Sequence, residues 1–373
     1  MMKEIALVVP TIREDCAKKF IAAWDGLPDL FGEVDLVVVE DNPSPTFDLP
    51  EVGSDPSDAR PPTHLSWEDI GRELGEREWI IPRRSDTVRS FGYWWAWRAG
   101  YRYICTMDDD CYPQLGDPDS GEPSYHDWVV KHRRALDGRA KWWSTLNTAR
   151  PRGLPYRNLG IRDDIYVNHG LWTNVVDYDA CNQLANPVEE EFDHGNAIVP
   201  HGSYFPMCGM NLMWRREATV LMYHLLMGRM FTSDRPVRGV VMIPGDDHAR
   251  ALERCLQVLP YDRFGDIWCG VLMKRCLDHL GWSCSSGTPY VRHDRASDPF
   301  ANLRKEANGI GTNEKFWEHV DRFRPNPTFI DPVELYYQLG RWVRDFRGAP
   351  EFPDYFEMLG DAMVTWTSLF TGK

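Results

Sequence analysis

The chain has 373 residues, 43% of them hydrophobic, which suffices for one large α/β domain with an appendage or for two domains. A formal net charge of −14 and a pI near 5.3 argue against a nucleic-acid partner, and any phosphate site must be local, made of a few arginines. The 9 cysteines are odd in number and lack paired CxxC spacing, and no stretch has the makings of a signal peptide or membrane span, so the expectation is a cytoplasmic protein with reduced thiols.

Ile5 to Val9 is a continuous apolar run, as in a buried parallel strand, and it ends in the loop Pro10-Thr11-Ile12-Arg13. Ala17 to Trp24 reads as a helix. Val34 to Glu40 is a second buried strand, closed by Asp41-Asn42-Pro43. A strand–helix–strand rhythm implies a right-handed parallel crossover, and open parallel sheets bind ligands outside the carboxyl ends of their strands. Asp41-Asn42-Pro43 on its own reads first as a plain turn.

Residues 43 to 66 are rich in Pro, Ser and Asp and read as a surface loop. Trp67 to Leu74 is a short helix stopped by Gly75, and Trp79 to Pro82 is a candidate strand. Arg83, Arg84 and Arg89 follow, and Arg89 either touches a phosphate or is a surface arginine. Phe91 to Tyr101 is an aromatic helix that feeds a strand at Tyr103 to Met107.

Asp108, Asp109 and Asp110 follow that strand. On a strand, consecutive carboxylates would point to opposite faces, whereas at its end two of them can meet one hard cation. Mg²⁺ or Mn²⁺ would then bridge Asp108 and Asp110 to a diphosphate and neutralise a leaving nucleotide, with Asp109 turned to ribose or sugar. The bland alternative is an acidic loop or helix start. Cys111-Tyr112-Pro113 comes next, and Pro113 is expected to end regular pairing.

Residues 114 to 124 read as a loop, Tyr125 to Leu136 as a helix and Lys141 to Asn147 as a strand. Arg150 to Arg157 is a proline-stiffened loop carrying Arg152. In Phe205 to Leu212, Gly209 lets backbone approach a ligand closely and Asn211 offers polar contacts, or the segment is only a tight turn before a helix at Trp214. A long apolar helix runs from Arg263-Phe264-Gly265-Asp266 to Leu280, with Asp266 in its first turn, where a carboxylate is favoured even without a function. Pro289 to His293 is a last strand, and His293 is a candidate third metal ligand. Residues 314 to 373 read as a helical C-terminal extension to a domain spanning 1 to 313.

Several segments together resemble one family, the reversibly glycosylated polypeptides of plants, which are UDP-arabinopyranose mutases. They are Val9-Pro10-Thr11-Ile12-Arg13, Arg89-Ser90-Phe91-Gly92-Tyr93, Asp108-Asp109-Asp110-Cys111, His169-Gly170-Leu171-Trp172, Asp177-Tyr178-Asp179-Ala180 and Phe205 to Leu212. The last is the run from Pro289 through His293 to Asn302-Leu303 and Lys305-Glu306. The resemblance implies a GT-A-like α/β fold: a doubly wound, mostly parallel sheet with a divalent metal, Mn²⁺ or Mg²⁺, on the Asp triplet, and a UDP-sugar as substrate. Pro10, Thr11, Arg13 and Asp41 close the first two strands on the side where parallel sheets bind nucleotides, and Arg89, Asp108, Asn211 and Lys305 are the further candidates for nucleotide-sugar binding. The resemblance places Arg152-Gly153 where the plant proteins carry a reversibly glycosylated arginine.

The chain departs from the plant pattern where a second arginine is expected. Leu159 stands there, with Arg157 and Arg162 nearby. Gly265 replaces a second aspartate before Asp266, and residues 228 to 262 are longer than their plant counterpart. Three functions fit: a mutase with self-glycosylation, using Asp266 or Asp109 as base because a guanidinium stays protonated; a UDP-sugar glycosyltransferase with a separate acceptor; or a non-catalytic nucleotide-sugar-binding protein. A homo-oligomer is compatible with each.

Overall fold

The computed structural model describes residues 3–25, 30–53, 57–114, 128–137, 164–175, 177–185, 189–190, 197–205, 207–231, 242–243, 256–294 and 298–371. Its centre is a curled, mostly parallel sheet. In chain order the strands are β1 (Ile5–Thr11), β2 (Val34–Glu40), β3 (Thr63–Leu65), β4 (Tyr103–Met107), β5 (Cys111–Pro113), β6 (Ile165–Val175), β7 (Asn211–Arg215) and β8 (Ser283–His293). They lie in the order β3-β2-β1-β4-β7-β6-β8-β5. Pairing is parallel from β3 to β4 and between β6 and β8, and antiparallel around β7 and β5.

Side chains alternate across each strand, so the sheet has two apolar faces and two cores. Ala6 and Val8 of β1 face one core, while Ile5, Leu7 and Val9 face the other. Helix α1 (Glu14–Asp25) and helix α4 (Trp128–Asp137) cover the second core through Phe20, Trp24 and Trp128. Between them in the chain come α2 (Trp67–Leu74) and the aromatic α3 (Arg89–Ala99), which lie over the first. Gly92 lets α3 ride close on the sheet: a Cβ there would stand 2.6 Å from a Val8 methyl and 2.8 Å from one of Val39. This is a doubly wound, GT-A-like arrangement, as the sequence suggested.

The first core also takes in α5 (Gly265–Leu280), α6 (Pro299–Asp321), α7 (Pro332–Val343) and α8 (Tyr355–Thr367). Helix α6 runs unbroken through residues 313 and 314. The last helix is keyed in by buried hydrogen bonds. Tyr355 donates to the Leu226 carbonyl at 2.7 Å, Trp366 to that of Val220 at 2.9 Å, and Trp94 to that of Leu369 at 3.2 Å. Among the described residues no helix is long and apolar enough to cross a membrane.

Four elements differ from expectation. Gly75–Ile80 is a 3₁₀ helix and not the approach to a strand at Trp79, because a short apolar run carries no periodicity. Thr63–Leu65, inside the expected surface loop, adds a parallel edge strand to β2. Pro113 pairs after all, opposite Val291, on an edge strand where its missing N–H costs nothing. The segment at Trp214 is strand β7 followed by a 3₁₀ helix at Arg216–Leu221, since Leu212, Met213 and Trp214 alternate between the cores. The expected strand at 141 to 147 and the loop carrying Arg152 lie outside the described residues.

Candidate active site

Strand order reverses between β1 and β4, and there a cleft of about 250 Å³ opens at their carboxyl ends. Pro10 to Arg13 enter it from β1, Asp41 from β2 and Asp108 to Asp110 from β4. Arg84, Ser85, Asp86, Val88 and Arg89 form the facing wall. Eight of the expected site residues, Pro10, Thr11, Arg13, Asp41, Arg89 and the Asp triplet, thus meet in one place although they are far apart in sequence.

Each carboxylate of the triplet has its own holder. Asp109 is nearly buried and accepts hydrogen bonds from Thr11 Oγ1 at 2.7 Å and from the Arg13 guanidinium at 2.6 Å. Burial raises its pKa, against the pull of those two partners. Asp108 is held by Arg89, which is 2% exposed and also donates to the carbonyls of Gly209 and Asp86. Arg89 is therefore chiefly the anchor of Asp108 and spends little of its fork on the open cleft. Gly209 is required there, because a Cβ would come within 2.8 Å of the Arg89 guanidinium and 2.9 Å of the His224 ring.

Asp110 faces His293, whose Nε2 stands 3.8 Å from its Oδ1. The other ring nitrogen, Nδ1, lies 2.8 Å from the Val175 carbonyl and donates to it, which fixes the ring with Nε2 turned toward Asp110. Burial and the neighbouring Asp108 charge push Asp110 up to about 6, while His293 pulls the other way. Among the described residues no three His, Cys, Asp or Glu side chains are gathered tightly enough to cage a metal ion. Mg²⁺ and Mn²⁺ do not need such a cage, being commonly held by one or two carboxylates with the substrate's phosphates and water completing the shell. Asp108 and Asp110 are hard oxygen donors of that kind.

At the other end of the cleft, Asp41 is 4% exposed and its Oδ1 accepts the Trp67 indole N–H at 2.7 Å. Arg84 caps this corner, donating to the Asp41 carbonyl at 3.1 Å and to Asn42 Oδ1 at 3.0 Å while lying over the Trp67 ring at 5.0 Å. Its φ of 57° is a left-handed conformation that costs a non-glycine residue roughly 1–3 kcal/mol and is characteristic of functional sites. Arg84, Ser85, Asp86 and Trp67 were not singled out from the sequence. The polar run after Pro82 was a weak signal for the first three, and nothing in the pattern ties Trp67 to Asp41.

Other expected residues lie elsewhere. Asn211 is fully buried and all its polar capacity is used within the fold. Its Nδ2 donates to the carbonyls of Leu171 and Pro289, and its Oδ1 accepts from Trp128 and His132. It cross-links β6, β7, β8 and α4 and does not face the cleft. Lys305 stands 54% exposed on α6 and pairs with Asp262 at 3.4 Å. Asp266 begins α5 behind Gly209, whose N–H it accepts at 3.3 Å. Burial and the charges of Asp86 and Asp177 raise it to about 7. Gly265 has no room for the side chain that the plant pattern places there, since a Cβ would meet the His224 carbonyl at 2.6 Å. Arg152 lies outside the described residues.

Comparison with known proteins bears on this site. The profile of a family described as "Reversibly glycosylated polypeptide" matches residues 1–238 and 225–372. The "UDP-arabinopyranose mutase 3" of Arabidopsis thaliana is 31% identical over 375 residues, an alignment covering 97% of this chain and 90% of that protein. The "UDP-arabinopyranose mutase 1" of Oryza sativa subsp. japonica is 32% identical over 377 residues, covering 97% and 89%. The "Probable UDP-arabinopyranose mutase 1" of Pisum sativum is 31% identical over 375 residues, with the same shares of 97% and 89%.

Proposed function

This chain belongs to the reversibly glycosylated polypeptide family, and from that premise we propose that it is an enzyme interconverting the pyranose and furanose forms of a UDP-sugar of the arabinose type. The observation that carries this reading is the cleft at the ends of β1, β2 and β4, where nucleotide-binding residue types converge from four separate stretches of sequence.

In this reading Asp41 accepts the uracil N–H, held in place by Trp67. Cytosine lacks that proton, and pairing it against Asp41 costs roughly 1–3 kcal/mol. Thr11 and Arg13 orient Asp109 toward ribose or sugar. Asp108 and Asp110 are the residues that hold a divalent cation, with His293 beside Asp110. A bound cation supplies charge neutralisation for the departing diphosphate.

The nucleophile we assign is Arg152. A guanidinium nitrogen forms a bond to the anomeric carbon as the bond from that carbon to the UDP oxygen breaks. UDP leaves with the electron pair, and the guanidinium proton passes to a carboxylate base. Asp266, raised to about 7 by its own burial and by the charges of Asp86 and Asp177, suits that duty. The tethered sugar opens, recloses through a different hydroxyl and returns to UDP, and Asp266 gives the proton back. Retaining the sugar on the protein prevents its loss to water.

The test uses the purified chain with Mn²⁺ and radiolabelled UDP-arabinopyranose. Expected are UDP-arabinofuranose and labelled protein, with label on the peptide carrying Arg152. Arg152→Lys should retain UDP binding and lose both turnover and label. Full activity in Arg152→Ala, or label on Arg157 or Arg162, removes Arg152 from the mechanism. Transfer of the sugar only to an added acceptor would make the protein a glycosyltransferase.

A further inference from the structure

Behind the cleft, α6 grips the segment that leads into α5. Lys305 pairs with Asp262, and its neighbour Glu306 pairs with Arg263 at 2.8 Å. Asn308 donates to the Pro260 carbonyl at 3.0 Å, and Thr312 to the Tyr261 hydroxyl at 3.3 Å. Every residue from 260 to 263 is thereby tied to one helix, three residues before Asp266. Arg263 adopts a left-handed conformation, φ 67°, which a side chain of its size accepts only where surrounding contacts impose it.

Glu306 is 5% exposed and uses both oxygens. Oε1 takes the Arg263 guanidinium, and Oε2 accepts the N–H of Ala180 at 2.8 Å, the first residue of the short helix Ala180–Ala185. Asp177 lies just ahead of that helix. One carboxylate thus connects the turn carrying Asp177 to the turn carrying Asp266. The Arg263 charge acts on both of those aspartates. The charges acting on Asp266 are Asp86 from the 3₁₀ turn before α3, Asp177 from the turn after β6, and Arg263, while the nearby thiols of Cys208 and of Cys269 on α5 are held protonated by burial.

We propose that the Arg263–Glu306 pair is a positioning device for Asp266, the proton-transfer group assigned above, from behind the cleft. It holds Asp177 and Asp266 at a set separation and places one fixed positive charge between them and Glu306. The proposal rests on the mutase reading, in which Asp266 is the proton-transfer group.

The experiment compares the full-length chain with Arg263→Gln, Arg263→Lys and Glu306→Gln. It measures UDP affinity, the KM and kcat for UDP-arabinopyranose, and the pH dependence of kcat. Glu306→Gln keeps an oxygen for the Ala180 N–H and removes only the charge. Arg263 is 32% exposed, so its variants give an independent route if Glu306→Gln does not fold. Expected is a loss in kcat of about ten-fold or more in Arg263→Gln and Glu306→Gln, with KM and UDP affinity within about two-fold and Arg263→Lys losing less. The acid limb of kcat should move in opposite directions. Removing the Arg263 cation destabilises the Asp266 carboxylate and carries the limb to higher pH; removing the Glu306 anion leaves Arg263 unopposed and carries it to lower pH. A purely structural pair would shift neither limb. Active wild type beside variants of unchanged kcat and unchanged limbs overturns the positioning role alone. Wild type that binds UDP without turnover overturns the mutase reading and this role with it.

Discussion

Single residues divide the cleft into groups that hold and groups that are held. Arg89 and Asp108 are the clearest case, because Arg89 has almost no exposed surface and its partner is a candidate metal ligand. Arg89→Lys keeps the charge and loses the fork that spans Asp108 and the Gly209 carbonyl. Its expected effect is a drop in Mn²⁺-dependent UDP affinity of about ten-fold, with metal-free UDP affinity changed far less, as calorimetry with and without EDTA would read. Equal losses in both arms would assign Arg89 to the nucleotide itself. Asp266 makes a prediction about pH. Its folded pKa, near 7, lies above the ordinary carboxylate value, so the folded state binds the extra proton and stability declines as pH rises from about 4 to about 7. Asp266→Asn removes that titration. Denaturant melts across this range should show a flatter pH dependence than wild type, and a slope unchanged by the substitution would contradict the assignment.

Elements approach one another through glycines at two places that matter. In α3, Gly92 sits on Val8 and Val39, and in β6, Gly170 leaves space for Asn211, whose Nδ2 would stand 2.2 Å from a Cβ there. Gly92→Ala should lower stability by about 1–3 kcal/mol through overpacking, measurable as a reduced denaturation midpoint, and should weaken UDP binding because α3 begins with Arg89. A variant of wild-type stability would mean that the helix shifts freely on the sheet. The strands and most helices were legible in the sequence because continuous apolar runs at Ile5 to Val9 and Val34 to Glu40 ended in polar loops. Those loop residues gave the cleft: Thr11, Arg13, Asp41 and the triplet. What escaped notice had no local pattern. Trp67 supports Asp41 only through the tertiary fold, Arg84 takes an unusual φ, and Asn211 looked like a ligand contact because a buried, fully satisfied amide and an exposed one read alike in sequence.

The whole molecule is organised by a core that α7 and α8 share with the sheet. Trp366 is fully buried, stacks on Tyr223 at 5.0 Å and donates to Val220. Trp366→Ala should cost about 3–5 kcal/mol. Because Tyr223 adjoins His224, which packs behind Gly209 next to Arg89, UDP affinity should fall with stability. Wild-type UDP affinity in this variant would show that the two ends of the core act independently. The same arrangement sets an order of events during synthesis. The strands that carry the nucleotide-binding residues leave the ribosome well before the helix that anchors the floor beneath Arg89. A nascent chain in which α8 has not yet emerged has every cleft residue and lacks the packing that steadies them, so competence to bind nucleotide waits for a helix that lies more than 240 residues beyond the Asp triplet.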